Sequence, residues 1–170
     1  MDYKTKCREM EKMARAQKIL EHPLFVEGLA NNIEEEKERI FCHHDMIHFL
    51  QVARLAYIFS LERQYRLDKE VIYAAALLHD IGKWQQYKEG IPHEIASADI
   101  AKTVLEETGF SEEEINMILA AIRSHRSVGA TEPLSEVLYD ADKISRDCYA
   151  CAAQKECNWS NEKKNLQITW

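Results

Sequence analysis

Apolar residues recur at helical spacing along nearly all of this 170-residue chain, and only five glycines and three prolines interrupt them. A pattern of that kind is buried only when helices pack stripe against stripe. The expected fold is therefore all-α, a single-domain bundle of about six or seven helices. The spacing predicts a first helix over 3–20 (Met10, Met13, Ala14, Gln17, Leu20) and a second from Pro23 to about Arg39, whose EEEKER run reads as a solvated face. A third over 45–64 carries the stripe His48, Val52, Leu55 and Phe59, and a fourth over 69–80 is capped by Asp68. GKWQQYKEGIP then reads as a loop, and a fifth helix runs over 93–108, stopped by Gly109. Ser111 and Glu114 form a capping box for a sixth helix, with Ile115, Ile118, Leu119 and Ile122 leading to His125. Pro133 opens a seventh over 133–154, carrying Leu134, Val137, Leu138, Ala141, Asp142 and Ser145. No repeat, linker or low-complexity segment divides the chain.

Within the fourth helix, AAALLHDIGKW (74–84) runs from small and branched apolar residues straight into His79-Asp80. An ionisable pair at the end of so apolar a segment is costly to bury without partners. Four of the seven histidines (His48, His79, His93, His125) and two aspartates (Asp80, Asp142) fall on the apolar side or the buried end of a predicted helix. Each alone reads as a hydrogen-bonded core residue. Six converging on one core point to a divalent cation, which offsets the burial of two carboxylates and suits imidazoles, since these bind metal while neutral.

The pattern His48-x3-Val52, then AALLHDIGK, AIRSH and YDADKISR, resembles the HD superfamily of metal-dependent phosphohydrolases across about 44–147. The resemblance implies that His48, His79, Asp80 and Asp142 are the primary metal ligands. It also implies that His93 and His125 serve a second ion bridged by Asp80, if His93 reaches the centre across the twelve intervening residues. Asp140 and Asp142 point about 100° apart on a helix, and the residue before the Lys is the ligand in the family's motif, so Asp142 is chosen. One or two divalent ions are expected (Fe, Mn, Ni, Mg or Zn), with nitrogen and oxygen ligands that do not select among them. Asp80 and Lys83 stand nearest the chemistry. Lys83, Arg126, Lys143, Arg146 and His44 are candidates for holding the phosphate. Their alternatives are a solvated loop lysine, exposed arginines, a Lys143–Asp147 pair and, for His44, an N-cap or surface role. His22 and His43 read as exposed.

The domain reading that follows is an N-terminal helical extension over 1–40 (an added layer or a dimer surface), a metal-binding helical domain over 41–155, and a tail over 156–170 that frays or docks, with Trp159 read as its anchor in preference to a ring that stacks on a substrate. The formal charge of −7 argues against a nucleic-acid polymer as partner, while a small phosphorylated substrate remains compatible with a locally cationic cleft. The absence of a long apolar run argues against a membrane span, and cytoplasmic residence is the default. Five cysteines do not describe a disulfide framework. Cys148, Cys151 and Cys157, with Cys42 or Cys7, read either as ligands of zinc or an iron–sulfur cluster or as small buried residues on the seventh helix. Two other functions fit the same motif: a mixed-valent di-iron oxygenase of this superfamily, and a non-catalytic HD-like signalling module.

Overall fold

The computed structural model describes residues 12–126, 129 and 131–169. These form the helices α1 (Ala14–Glu21), α2 (Pro23–Glu36), α3 (Met46–Glu62), α4 (Lys69–Leu78), α5 (Lys83–Glu89), α6 (His93–Thr108), α7 (Glu112–Ser124) and α8 (Pro133–Ile144), followed by a 3-10 turn at Cys148–Ala150. The fold is all-helical, and no strand occurs among the described residues.

Helix α4 lies at the centre because its sequence leaves no polar face: Val71, Ile72 and every residue from Ala74 to Leu78 are buried. The Asp68 side chain starts it, accepting hydrogen bonds from the amides of Glu70 (2.9 Å) and Val71 (3.2 Å). Helix α3 packs along both α4 and α8 through Phe49, Val52, Ala53, Ala56 and Phe59. The pair α6–α7 closes the other side, with α7 opened by the expected Ser111–Glu114 capping box. Helix α1 packs on α4 and α6, and α2 on α5 and α6, so that Ala16, Ile19 and Phe25 join the same apolar core.

Several boundaries differ from the sequence reading. The segment expected to be a loop over the site forms α5, ended by Gly90 in the left-handed region at φ 72°. Gln and Lys side chains at helical spacing carried no apolar stripe to reveal it. Helix α2 ends at Glu36 rather than near Arg39, and α8 ends at Ile144, so Cys148 sits in the 3-10 turn and not on the seventh helix. Much of the expected first helix, and Cys7, lie outside the described residues. His22 is buried rather than exposed, because its ring caps α2 by accepting from the Leu24 amide at 3.2 Å. In the EEEKER run, Glu36 is buried at 1% exposure.

The turn between α4 and α5 is held tightly. The Gly82 amide donates to Ser97 Oγ at 2.9 Å, and a Cβ at Gly82 would stand 2.6 Å from the backbone of Ala96 and Ser97. Asn32 of α2 donates from Nδ2 to the Asp80 carbonyl (2.9 Å) and accepts at Oδ1 from the Trp84 amide (2.9 Å). We expect Gly82→Ala to destabilise the fold by about 2–3 kcal/mol, the range typical of overpacking. Gly90→Ala, which meets nothing within 4 Å, should cost about 1 kcal/mol for its left-handed backbone alone. Urea unfolding of both variants measures the difference, and equal losses would contradict the packing at Gly82.

Candidate metal centre

The centre is assembled from the ends of helices. His48 lies in the first turn of α3, whose start is fixed by the Asp45 side chain accepting from the His48 amide at 3.0 Å. His79 and Asp80 follow α4 directly, His79 as its C-cap. His93 opens α6, His125 follows α7, and Asp142 lies in the last turn of α8. All six side chains are buried.

Two groups of ligand atoms result, each with its members within 4.8 Å of one another: His48, His79, Asp80 and Asp142, and Asp80, His93 and His125. Asp80 belongs to both, and its two oxygens divide between them. Oδ2 stands 3.2 Å from His79 Nε2 and 3.9 Å from His48 Nε2, while Oδ1 stands 3.1 Å from His93 Nε2 and 3.6 Å from His125 Nε2. Asp142 Oδ1 lies 3.5 Å from His48 Nε2 and 3.8 Å from His79 Nε2. His93 therefore does reach the centre, and the short connection of twelve residues suffices because α5 folds it back.

Every imidazole turns the same atom inward. Nδ1 is engaged from behind: by the Ala76 carbonyl in His79 (2.7 Å), the Ile122 carbonyl in His125 (2.5 Å), Gln86 Oε1 in His93 (2.5 Å) and the Ser145 hydroxyl in His48 (3.4 Å). Such partners fix ring orientation and tautomer in the way metal-binding histidines require. His48 Nε2, His79 Nε2 and Asp80 Oδ1 are buried with no hydrogen-bond partner, a state that costs free energy unless something else is bound there. The residues fit a divalent cation on this ground.

The charges lead to the same requirement. Burial pushes the His48 and His93 imidazoles down to about 3, so both stand neutral. Complete burial acts on His79 in the same sense, yet the carboxylates of Asp80 and Asp142 outweigh it and raise its pKa. Burial likewise raises the aspartates, but the neighbouring imidazoles, and for Asp142 also Arg146, hold both well below the usual carboxylate range. Two fixed negative charges thus draw positive charge to one buried point.

His44 is neither a cap nor exposed. It is 6% exposed, and its Nε2 lies 3.6 Å from Asp80 Oδ2. Glu36 holds it there, accepting from His44 Nδ1 (2.5 Å) and from its backbone amide (2.7 Å) while also taking the Tyr87 hydroxyl (2.7 Å). Burial opposes ionisation of Glu36, but these hydrogen bonds and the attraction of the neighbouring imidazole bring its pKa to about 2.

Above the centre opens a cleft of about 290 Å³, bordered by Arg39, Lys83, Arg126, Lys143 and Arg146. Lys83 Nζ sits 3.2 Å from His93 Nδ1. Lys143 reaches Asp142 Oδ2 and Arg146 reaches Asp142 Oδ1 (3.1 Å), so Lys143 pairs with Asp142 rather than with Asp147. Arg126, half exposed at the mouth, lies 3.5 Å from Glu94. Asp140 is bound to Arg63 on the outside of the bundle.

Residues 45–147 match the family model of the HD domain. The chain belongs to the HD-domain family. An uncharacterized protein of Clostridium beijerinckii is 44% identical over 156 residues, covering 92% of this chain and 99% of its own length. Ribonuclease Y of Acetivibrio thermocellus is 35% identical over 99 residues, which span 58% of this chain and 17% of that protein. A crystal structure described as a predicted HD superfamily hydrolase, from an uncultured Thermotogales bacterium, matches with a TM-score of 0.67 over 98% of this chain and 88% of that one. At 23% identity this likeness is one of fold.

Three residues at or behind this HD-domain site are not legible in the sequence: Glu36 and Arg39 sit in a charge run that reads as solvated, and Asn32 carries no pattern. A carboxylate one turn after Asn32 and eight residues before His44 was the available signal for Glu36. The four described cysteines do not join the centre: Cys148 is buried, Cys42, Cys151 and Cys157 are half-buried, and none belongs to a potential metal group among the described residues.

Removing His79, or Asp80 which the two groups share, should cost the protein its metal. His79→Ala and Asp80→Ala are each expected to lose metal by elemental analysis while keeping a helical circular-dichroism spectrum. Wild-type protein should lose thermal stability on chelation, because an ion that binds only the folded state stabilises it. Wild-type metal content in either variant would contradict the assignment.

Proposed function

We propose that this HD-domain protein is a metal-dependent phosphohydrolase acting on a small phosphorylated substrate, a nucleotide or another phosphorylated metabolite. One observation carries the reading: two nitrogen- and oxygen-donor groups joined at Asp80 lie at the floor of a cleft bordered by five cationic side chains. The whole chain is acidic, so attraction of an anion has to be local, and this is where positive charge is gathered.

His48, His79, Asp80 and Asp142 would hold a divalent ion, with or without a second at Asp80, His93 and His125, and such an ion would supply Lewis acidity and acidify water near neutral pH. The chain's own groups perform the remaining tasks. Lys83 is placed beside His93 to neutralise a phosphoryl oxygen, and burial pushes its pKa down, so its ammonium gains most from an anionic partner. Arg146 spends one edge of its guanidinium on Asp142 and keeps further N–H donors for phosphate. Lys143 and Arg126 extend the cationic rim outward. His44, with Nδ1 fixed by Glu36, presents Nε2 at the edge of the centre, where it accepts or returns a proton.

Protein prepared without oxygen and analysed for metals, then screened for phosphate release over nucleotides and sugar phosphates, tests the reading. The expected result is metal-dependent release that chelation abolishes. Bound iron with oxygen uptake and no phosphate release would favour the di-iron oxygenase instead, and a metal-free, inactive protein would favour a binding module. Lys83→Ala is expected to keep its metal and lose about 100-fold in kcat/KM, the scale of one removed transition-state donor; loss of metal in this variant would contradict its role.

A further inference from the structure

The segment after α8 is docked rather than loose. Asn165 Nδ2 donates to the carbonyls of Lys143 (2.8 Å), Ile144 (3.2 Å) and Arg146 (3.0 Å), and so covers the open C-terminal end of α8. Gln154 donates to the Cys148 carbonyl at 2.7 Å, and Lys164 donates back to the Gln154 carbonyl at 3.0 Å. These bonds fix the position of Trp159, whose indole ring lies 4.8 Å from the Arg146 guanidinium carbon. Arg146 is a residue that grips Asp142, so its stacking on Trp159 joins the tail to the centre alongside the Asn165 bonds.

Trp159 borders two clefts at once. One is the cleft over the ligand groups, about 290 Å³ and polar in its lining. The other, about 560 Å³, adjoins it and shares Arg126, Lys143 and Trp159 with it. Beyond the shared residues this larger cleft adds Tyr139, Glu162, Lys163 and Asn165. The smaller space suits a phosphoryl group among cations. The larger has the size of a small-molecule site and offers two aromatic side chains.

We propose that the larger cleft seats the organic portion of the substrate, that this portion is a planar aromatic group, and that Trp159 is its stacking wall. The inference rests on the phosphohydrolase reading and narrows the substrate class within it to phosphate esters of aromatic-bearing groups. Arg126 and Lys143, common to both clefts, mark the boundary at which the phosphate joins that group. Stacking on an aromatic side chain is tolerant of the identity of the ring, so Trp159 selects planarity rather than one particular base.

Binding of two non-ester anions separates this inference from the phosphohydrolase reading, since neither probe needs to be hydrolysed. Methylphosphonate carries the phosphoryl-like group alone, and phenylphosphonate adds a planar ring. Titration calorimetry of the full-length, metal-loaded protein without oxygen should give phenylphosphonate an affinity about tenfold higher than methylphosphonate. Trp159→Ala should collapse that ratio toward one, and Trp159→Phe should retain most of it. Equal affinities in the wild type, an unchanged ratio in Trp159→Ala, or a loss of both ligands in that variant through displacement of Arg146 would each overturn the stacking role while leaving the phosphoryl site standing. Failure of the wild type to bind either phosphonate would overturn the phosphohydrolase reading, and this inference with it.

Discussion

Two carboxylates, Asp80 and Asp142, are buried in the middle of a helical bundle among five imidazoles, and the rest of the molecule is arranged around making that tolerable. Asp142 is paired with the largely buried Arg146 and with Lys143, whereas Asp80 is surrounded by imidazole rings. Asp80's two oxygens face two different sets of Nε2 atoms, so its single charge serves both ligand groups.

This requirement explains where the helices stop. Five of the six central side chains sit within one residue of a helix end or in a first or last turn, where the chain can change direction and a single side chain can be aimed. The N-terminal layer then reinforces the centre from behind through two residues one turn apart on α2. Asn32 holds the turn that carries Asp80, and Glu36 holds His44. The layer that looked like an addition to the domain thus supports the turn behind Asp80 and the ring of His44, while the ligand imidazoles are held by Ala76, Gln86, Ile122 and Ser145.

Much of this was legible in the sequence because it rests on local signals. The Asp68 cap, the Ser111–Glu114 box and the apolar run of α4 each declare themselves within a few residues. The six ligand candidates were visible as ionisable groups on apolar faces, and the bundle brings all six together. What stayed hidden depends on distant partners. Nothing within EEEKER distinguishes Glu36 from its exposed neighbours, since only the return of His44 and Tyr87 onto it makes it a buried acid. The helix α5 was hidden for the opposite reason: short and polar, it is held by its ends, through Gly82 and Gly90, and by Trp84 bonding to Asn32. Trp159 could be placed beside Arg146 only once the tail was seen to close over α8.

The central assertion is that imidazoles and carboxylates from separate helices hold an ion together. X-ray absorption spectroscopy at the edge of whatever metal the protein carries examines that contact directly. The account predicts an inner shell of nitrogen and oxygen only, with the outer-shell scattering of several imidazole rings. A shell containing sulfur would place the ion at the cysteines instead, and a shell of oxygens without ring scattering would mean the histidines do not bind it.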